Sequence, residues 1–255
     1  MKVSYVIPNW NGRDMLLKCV ASIQRQEGVD EKEIIVIDNA SKDGSREALH
    51  AVCPNAVLKS NSVNEGYAKA TNKGVALCTS ELIFLMNNDV VLYPETTYKL
   101  VGCLGSDPKA GAAAPLLYYP DGRFQISCRR FPSPLALILE KLGIPRIGPF
   151  RKWKWTEKEH FTRNTVEQPM ASALLLKRGT WDAIGPLDEG FPIFFNDVDW
   201  CYRLHRKTNY TISLCREARA EHHEGASVNR LGLIKKVVFI RGLIRFYLKN
   251  YLRII

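Results

Sequence analysis

Short apolar runs alternate with helical periodicity over the first hundred residues of the chain. Strand-like runs lie at residues 3–7, 33–38, 56–59 and 81–86. Between them, residues 13–26 place apolar side chains at helical spacing, a second helix is predicted to begin near Asp43, and residues 66–78 favour a helix of small residues. Strands that alternate with helices of this length are typical of βαβ crossovers, so we expect an α/β fold with a mostly parallel sheet.

The pattern is less regular after residue 94. Strands are predicted at residues 110–118, 123–127 and 210–214, and helices at residues 95–105 and 179–185. Order also returns in the apolar stretch 171–178 and in segment 194–207, which is left open between extended and helical conformations. Residues 131–165 contain four prolines and show no clear period, which predicts a loop or an insertion.

The formal net charge of +10 is concentrated at the C-terminus. Residues 229–255 carry seven lysines and arginines and no acid. Arg241, Arg245, Lys249 and Arg253 recur every four positions among aliphatic and aromatic residues, which predicts a basic amphipathic helix. Such a helix is typical of peripheral contact with an anionic membrane; the alternative is that its apolar side packs on the domain. No nucleic-acid-binding motif accompanies the charge, so no nucleic-acid partner is predicted.

The cysteines and the hydropathy indicate a cytoplasmic protein. The seven cysteines are scattered, and no pair has CxxC spacing. This pattern argues against a disulfide framework or a structural zinc, so we expect free thiols in a reducing compartment, most of them in the core. The chain begins with a strand-like run and has no window of about 18 apolar residues, so neither a signal peptide nor a transmembrane helix is predicted.

Polar side chains follow each of the first four predicted strands. Together with turn residues, these segments contain Pro8, Asn9, Trp10 and Asn11 after the first strand, Asp38, Asn39 and Ser41 after the second, Gly66 after the third, and Asn87, Asn88 and Asp89 after the fourth. In an open parallel sheet, ligands bind beyond the carboxyl ends of the strands, so these residues are candidates for a nucleotide-sized site. The alternative is that they only form turns, which favour Asn, Asp, Gly and Ser.

Neither of the common glycine-rich phosphate loops is present, because the chain contains no GxGxxG and no GxxxxGK followed by Ser or Thr. A bound diphosphate would therefore need another source of positive charge, and a divalent cation held by a carboxylate is the usual alternative. Hard oxygen ligands favour Mg²⁺ or Mn²⁺. Asp89 closes a buried apolar run, where an unpaired charge is costly, so it is the natural ligand.

Six motifs carry a resemblance to a known family. They are VSYVIPNWNG, IIVIDNASKDGS, NEGYAKATNKG, FLMNNDVVL, ALLLKRGTWDAIGPLDEGFPIFFNDVDWCYRL and HHEGAS. In this order they resemble the family-2 glycosyltransferases of the GT-A fold, especially the rhamnosyltransferase-like branch that builds bacterial surface polysaccharides. The resemblance implies a Rossmann-like nucleotide-sugar half at about residues 1–115, an acceptor half at about 116–228 and a basic C-terminal helix at 229–255.

The resemblance also implies a role for most of the candidates. Asp38 would recognise the nucleoside, with the loop Pro8–Asn11 packed around it. Asn88 would face the ribose or the sugar. Asp89 would bind the cation, and His222 would be a second ligand of the metal or of the diphosphate. Asn39, Ser41 and Gly66 belong to the same predicted nucleotide-sugar site.

Asp197 is the implied catalytic base. A sugar hydroxyl must lose its proton as it attacks the anomeric carbon, and a carboxylate within hydrogen-bond reach can accept it. The sequence departs from the family pattern at Asn87 and Asn88, before the metal ligand, and at Asn196, where the family has an acid before the base. Asp199 could share the work on an extended segment, but on a helix it would face elsewhere. The alternative is that Asp197 and Asp199 only complement a helix N-terminus.

The implied reaction is metal-dependent transfer, with inversion, of a sugar such as rhamnose from a dTDP- or UDP-sugar. The implied acceptor is a saccharide or a polyprenyl-linked saccharide at the inner face of the cell membrane. A non-catalytic nucleotide-sugar-binding scaffold is the main alternative, favoured by Asn87 and Asn196, whereas Asp89 and Asp197 favour the enzyme. A nucleotidyltransferase is a weaker alternative, because its first loop would be basic and glycine-rich, and PNWNG is neither.

Overall fold

The computed structural model describes residues 1–133, 153–191, 193–223, 234–252 and 254. The strands are β1 (Lys2–Asn9), β2 (Glu31–Asp38), β3 (Val57–Ser60), β4 (Leu82–Met86), β5 (Val90–Leu92), β6 (Ala110–Tyr118), β7 (Cys128–Arg129), β8 (Gln168–Pro169), β9 (Ala173–Lys177) and β10 (Thr211–His222). The helices are α1 (Arg13–Gln24), α2 (Ser45–Val52), α3 (Tyr67–Leu77), α4 (Thr96–Ser106), α5 (Glu157–Thr162), α6 (Arg178–Ile184), α7 (Asn196–Lys207) and α8 (Ile234–Asn250).

One mixed sheet has the strand order β3-β2-β1-β4-β9-β6-β10-β5. The four strands β3, β2, β1 and β4 are parallel, with Asn9 opposite Asp38 at the carboxyl ends of β1 and β2. Strand β9 runs antiparallel between β4 and β6, and β5 pairs antiparallel with the end of β10. The carboxyl ends of β1, β2 and β4 therefore lie at one edge, next to the end of β10.

Helices cover both faces of the sheet. Strand β1 shows the pattern, because Tyr5 and Ile7 join the cluster packed under α1, α2 and α4, whereas Val6 joins the cluster packed under α3, α6 and α7. All three side chains are fully buried. A continuous apolar run is what a parallel strand needs when it is covered on both faces.

The structure corrects the predicted strand at residues 123–127. Only Phe124 forms a bridge there, opposite Tyr118 of β6. The backbone turns back so tightly that Tyr119 N donates to Arg123 O and Gln125 N donates to Leu117 O. The strand pattern fails because the segment instead turns buried polar side chains, such as Gln125, towards the interior. The short strand β5 was not predicted, and segment 194–207 resolves into helix α7.

The expectation that the cysteines are free thiols is wrong for one pair. Cys103 of α4 and Cys215 of β10 form a disulfide, with Cα atoms 6.1 Å apart. The two cysteines are 112 positions apart in sequence, so their proximity arises only from the packing of α4 on β10. Of the five free cysteines, four are buried, and Cys78 is partly buried. Burial of these thiols agrees with the predicted role as small core side chains.

Helix α8 covers residues 234–250 of the predicted C-terminal helix, and residues 229–233 lie outside the described residues. One side of α8 packs on the domain through the buried Phe246. Val237, Ile240 and Ile244 on another side are about half exposed. Within the described ranges, no helix combines the length and apolarity needed to cross a lipid bilayer.

Candidate active site

A hydrogen-bonded network joins the ends of β1 and β2. Asn9 Nδ2 donates to Asp38 Oδ1 at 3.2 Å and to Ser41 Oγ at 3.3 Å. Ser41 N donates to the other oxygen, Asp38 Oδ2, at 3.0 Å. All three side chains are buried, so the parallel register that places Asn9 beside Asp38 gives the carboxylate its neutral donors.

Asn88 and Asn11 extend this network across the strand ends. Asn88 Nδ2 donates to Asn9 Oδ1 at 2.7 Å, and Asn11 N donates to Ser41 Oγ at 2.9 Å. Gly12 allows the first contact, because a Cβ atom at that position would collide with the Asn88 amide. The glycine of PNWNG therefore serves close approach between two loops rather than a phosphate cradle.

The remaining predicted nucleotide-side residues border the same network. Asn39 Nδ2 donates to Gly66 O at 3.3 Å, and Gly66 has φ of +86°, which a residue with a side chain rarely adopts. Pro8 is buried in β1, and Trp10 is partly exposed after it. The structure thus brings together the polar ends of β1, β2 and β4 and the start of α3.

Positive φ angles recur beside the candidate residues. Asn11 has φ of 49°, Ala40 has 61° and Phe195 has 67°. Asn11 and Ala40 lie in the turns after β1 and β2, and Phe195 is the residue before α7. Non-glycine residues adopt this region at a cost, and such residues cluster at functional sites.

Asp89 and His222 face each other at the junction of β5 and β10. His222 Nε2 lies 3.5 Å from Asp89 Oδ1, and both side chains are buried. Asp89 Oδ1 has no hydrogen-bond partner in the described part of the chain. Gln125 Oε1 lies 2.9 Å from His222 Nδ1, which orients the ring so that Nε2 points at the carboxylate. A buried carboxylate oxygen beside an imidazole nitrogen fits a divalent cation, which is the role predicted for Asp89 and one of the two roles that the resemblance implied for His222.

The three residues Asn87-Asn88-Asp89 have separate surroundings. Asn87 N donates to Ser172 O at 2.8 Å, so Asn87 fastens β4 to the segment before β9. Asn88 joins the Asn9 network, and Asp89 faces His222. No third carboxylate, histidine or cysteine completes a metal-binding cluster with Asp89 and His222 in the described ranges.

Asp197 lies in the first turn of α7 and is held by two donors. Val198 N donates to Asp197 Oδ1 at 2.9 Å, and Gln168 Nε2 of β8 donates to Asp197 Oδ2 at 3.3 Å. Desolvation raises the pKa of the Asp197 carboxyl above its ordinary value, and the positive charge of Arg129 and the Val198 N–H oppose this rise only in part. A raised pKa suits a carboxylate that must accept a proton.

Asn196 and Asp199 have structural surroundings. Asn196 Nδ2 donates to Phe191 O at 3.3 Å and to Ile193 O at 2.9 Å, and its Oδ1 accepts from Asp197 N at 2.7 Å. An ionised acid could not donate to those two carbonyl groups, so the amide fits this position. Asp199 is fully buried on another side of α7, where Arg203 Nε donates to it at 2.8 Å. The expectation that Asp199 faces away from Asp197 on a helix agrees with this geometry.

The family follows from a comparison with known proteins. A family model described as Glycosyl transferase family 2 matches residues 4–166, which is more than half of the chain. The chain belongs to glycosyltransferase family 2. The predicted resemblance to family-2 glycosyltransferases is therefore confirmed, and the protein is a glycosyltransferase enzyme.

This glycosyltransferase has relatives of known sequence and structure. It is 28% identical over 216 residues to the N-acetylglucosaminyl-diphospho-decaprenol L-rhamnosyltransferase of Mycobacterium tuberculosis, covering 77% of this chain and 68% of that protein. The mannosyltransferase PcManGT from Pyrobaculum calidifontis, solved with GDP-Man and Mn²⁺, aligns with a TM-score of 0.66 at 16% identity, over 96% of this chain and 63% of that one. S. aureus TarS (residues 1–349) aligns with a TM-score of 0.63 at 14% identity, over 100% and 74%. These likenesses confirm the predicted GT-A fold.

Several residues of this glycosyltransferase site were missed in the sequence. Tyr67 is the first residue of α3. Desolvation raises the pKa of its hydroxyl, and the negative charges of Asp197 and Asp89 add to this rise. Its hydroxyl donates to Ala171 O at 3.4 Å. Tyr67 and Asp197 also border a cavity of about 10 Å³, which is about the space that one water molecule needs. The one sequence signal for Tyr67 as a site residue is that it directly follows the candidate Gly66.

Gln168, Arg129 and Gln125 carry no sequence signal of their own. Gln168 and Arg129 are opposite each other in the short β7–β8 ribbon, so their side chains leave the same face. Gln168 Oε1 and Arg129 Nε are buried and lack a hydrogen-bond partner among the residues described. The guanidinium of Arg129 lies over the ring of Trp153, 5.3 Å from its centroid. Gln168 donates to Asp197, and the charge of Arg129 acts on the same carboxylate, so both side chains belong to the surroundings of the predicted base.

Proposed function

We propose that this family-2 glycosyltransferase transfers a sugar, with rhamnose as the first candidate, from a dTDP- or UDP-sugar to a saccharide on a polyprenyl carrier, with inversion and with a divalent cation. The observation that carries the proposal is the pair of separate carboxylates. Asp89 has a buried oxygen that lies 3.5 Å from His222 Nε2 and accepts no hydrogen bond from the described residues, whereas the pKa of Asp197 on α7 is raised. One carboxylate suits a cation, and the other suits a proton.

The donor half, at about residues 1–115, would bind the nucleoside at the strand ends. Both oxygens of Asp38 already accept hydrogen bonds, from Asn9 and from Ser41 N. An ionised carboxylate can accept about four, so Asp38 keeps capacity for a nucleobase N–H. Trp10 is partly exposed beside this network and offers a ring for the base. Asn88 lies next to the network on the side of Asp89, where the ribose or the sugar would follow.

Asp89 and His222 would hold the cation, with the donor diphosphate completing its shell. When bound, Mg²⁺ or Mn²⁺ stabilises the negative charge that develops on the leaving diphosphate. Gln125 fixes the ring of His222 and so keeps Nε2 directed at Asp89. Because the donor diphosphate would supply oxygen ligands of its own, we expect the cation to bind more tightly with donor than without it.

Asp197 would act in the acceptor half, at about residues 116–228. The acceptor hydroxyl attacks the anomeric carbon, the new oxygen–carbon bond forms as the bond from that carbon to the diphosphate breaks, and the hydroxyl proton passes to an Asp197 oxygen. Gln168 and Val198 N orient the carboxylate, and Arg129 favours its ionised form. Attack from the face opposite the leaving diphosphate inverts the anomeric centre.

Contact with a membrane fits the exposed apolar side of α8. Val237, Ile240 and Ile244 are about half exposed and follow helical spacing, with the exposed Lys236 and Arg241 beside them. An apolar stripe with flanking cations suits an anionic bilayer surface. The name of the mycobacterial relative gives its acceptor as a decaprenol diphosphate, and a carrier of this kind would hold the acceptor at the inner face of the cell membrane.

The scaffold alternative is weakened by the surroundings of the two asparagines that favoured it. Asn87 Nδ2 donates to Ser172 Oγ, and Asn196 Nδ2 donates to two backbone carbonyl groups. An ionised carboxylate could not donate these hydrogen bonds, so each amide has a structural reason. Neither substitution removes Asp89 or Asp197. An enzyme therefore accounts for more of the buried polar chemistry than a binding subunit does.

Thermal unfolding with a panel of dTDP- and UDP-sugars, dTDP-rhamnose among them, tests the donor and metal assignments. A donor at 100 times its Kd stabilises the native state by about 2.7 kcal/mol. For a chain of this size we expect Tm to rise by about 5 to 10 °C when Mn²⁺ is present, and by less without it. Asp89→Asn should lose the metal-dependent part, whereas Asp14→Asn on the exposed surface of α1 should keep it. If the donor raises Tm equally with and without Mn²⁺, and does so in Asp89→Asn as well, the proposed metal site is excluded.

A further inference from the structure

Helix α8 is tied to the segment around Asp197 by a bridging lysine. Lys249 Nζ donates to Asp188 Oδ2 at 2.6 Å and to Asp199 Oδ2 at 3.0 Å. Asp188 precedes the loop that leads to α7, and Asp199 lies in the first turn of α7, two residues after Asp197. One side chain of α8 therefore holds both ends of the segment that carries the predicted base.

Three further side chains complete the ionic cluster. Asn250 Nδ2 donates to Asp199 Oδ1 at 3.0 Å, and Arg203 Nε donates to Asp199 Oδ2 at 2.8 Å. Arg245 Nη2 donates to both oxygens of Asp188 at 3.1 Å. Asp199 is fully buried, so removing one of its donors leaves a charge that water cannot reach. Breaking a buried pair in this way is much more costly than losing a surface pair.

Aromatic packing joins the same two elements. Phe246 of α8 is fully buried against Phe191 and Phe195. Gly242 makes the approach possible, because a Cβ atom there would lie 2.8 Å from Phe195 Cδ2. Phe195 holds a left-handed conformation, with φ of 67°, directly before Asn196 and Asp197. The costly backbone turn that aims Asp197 is thus supported from the C-terminal helix.

We propose that α8 is a positioning element of the acceptor site, in which Lys249 and Asn250 hold the catalytic segment 193–199 through Asp199. The inference rests on the proposed function, since it takes Asp197 as the base. The side of α8 that carries Val237, Ile240 and Ile244 is not used by this contact. Membrane contact and base positioning would therefore use different sides of one helix.

The first test compares three single variants of the full chain. Lys249→Met removes the bridging charge but keeps most of the side-chain length, and Lys249→Arg restores a cation. Lys207→Met is the matched control, because it makes the same change at an exposed position of α7. We measure kcat and KM with dTDP-rhamnose and with N-acetylglucosaminyl diphosphate on a farnesyl chain, Kd of the donor, and hydrogen exchange of residues 193–199.

Lys249→Met should lower kcat by about tenfold or more, because a misplaced base loses its near-attack geometry. Its donor Kd should stay within about twofold of the native value, and Lys249→Arg should recover most of kcat. Exchange at residues 193–199 should speed up in Lys249→Met and not in Lys207→Met. Equal kcat in Lys249→Met and Lys207→Met would overturn the proposal, as would an equal loss of donor binding and of kcat.

Asn250→Ala provides the readout if Lys249→Met does not fold. It deletes one hydrogen bond to Asp199 and should lower kcat by about threefold, with faster exchange at residues 193–199. Unchanged exchange in Asn250→Ala contradicts the proposal. If the native chain transfers no sugar from any donor to the probe, the proposed function fails, whereas the exchange measurement still decides whether α8 holds the segment.

Discussion

The donor side and the acceptor side of this glycosyltransferase are built in different ways. On the donor side, Asn9, Asp38, Ser41 and Asn88 form a network in which Asn9 Nδ2 and Ser41 N donate to the Asp38 carboxylate, and Arg46 Nε lies 3.9 Å from it. All four side chains are buried. They lie at or just after the carboxyl ends of three neighbouring parallel strands, within the first 90 residues. Such a network restrains the side chains that form it.

The acceptor side is assembled from distant pieces and keeps unpaired polar atoms. Arg129, Gln168, Asp197 and Lys249 come from four separate elements, and Arg129 Nε and Gln168 Oε1 are without hydrogen-bond partners in the ranges described. The comparison indicates a donor side that is held by its own hydrogen bonds and an acceptor side that depends on support from other elements. Substitutions on the two sides should therefore separate donor binding from turnover.

Asp197→Asn has the largest expected effect. An amide cannot accept the hydroxyl proton, so kcat with the farnesyl-linked probe should fall by about 10³-fold. The donor Kd should stay within about twofold, since Asp197 belongs to the other side. Asp182→Asn, on the exposed surface of α6, should keep native kcat. Equal losses in kcat and donor affinity would mean that the two sides are not separable.

Asn9→Ala should produce the opposite pattern. Asn9 makes hydrogen bonds with Asp38, Ser41 and Asn88, so its removal leaves buried polar groups unpaired and should lower the free energy of unfolding by about 2 kcal/mol. Donor Kd should weaken more than kcat falls. Denaturant unfolding and donor titration measure the two effects, with the exposed Asn55→Ala as the control. An unchanged free energy of unfolding in Asn9→Ala would show that the network contributes little to stability.

Arg129→Gln should produce the smallest effect, in the pH dependence. The charge of Arg129 lowers the pKa of Asp197, against the larger rise caused by desolvation, so its removal should raise that pKa further. Transfer needs the ionised base, and the acid limb of kcat should therefore move to higher pH while the rate well above it changes little. Arg123→Gln, at a position exposed to solvent, should leave the profile in place. An unmoved acid limb in Arg129→Gln would mean that another group sets it.

The donor side was largely predictable because its determinants are local. Apolar runs that end in Asn, Asp, Gly and Ser mark strand ends, and parallel strands bring those ends to one edge. Asn9, Asp38, Ser41 and Asn88 were found in this way, and the structure joins them. The pairing of Asp89 with His222 came from the resemblance to the family, and the structure brings their side chains within 3.5 Å. Their roles as metal ligands stay a prediction.

The sequence by itself determined the alternation of strands and helices, the polar strand ends and the basic helical pattern of the tail, because each depends on residues a few positions apart. Only the tertiary structure decided that β9 enters the sheet antiparallel, that Cys103 meets Cys215, that Gln168 and Arg129 surround Asp197, and that Lys249 holds Asp199. The physical reason is that these contacts join residues tens of positions apart. No local periodicity encodes them, and they form only when burial of both faces of the sheet fixes which elements pack together.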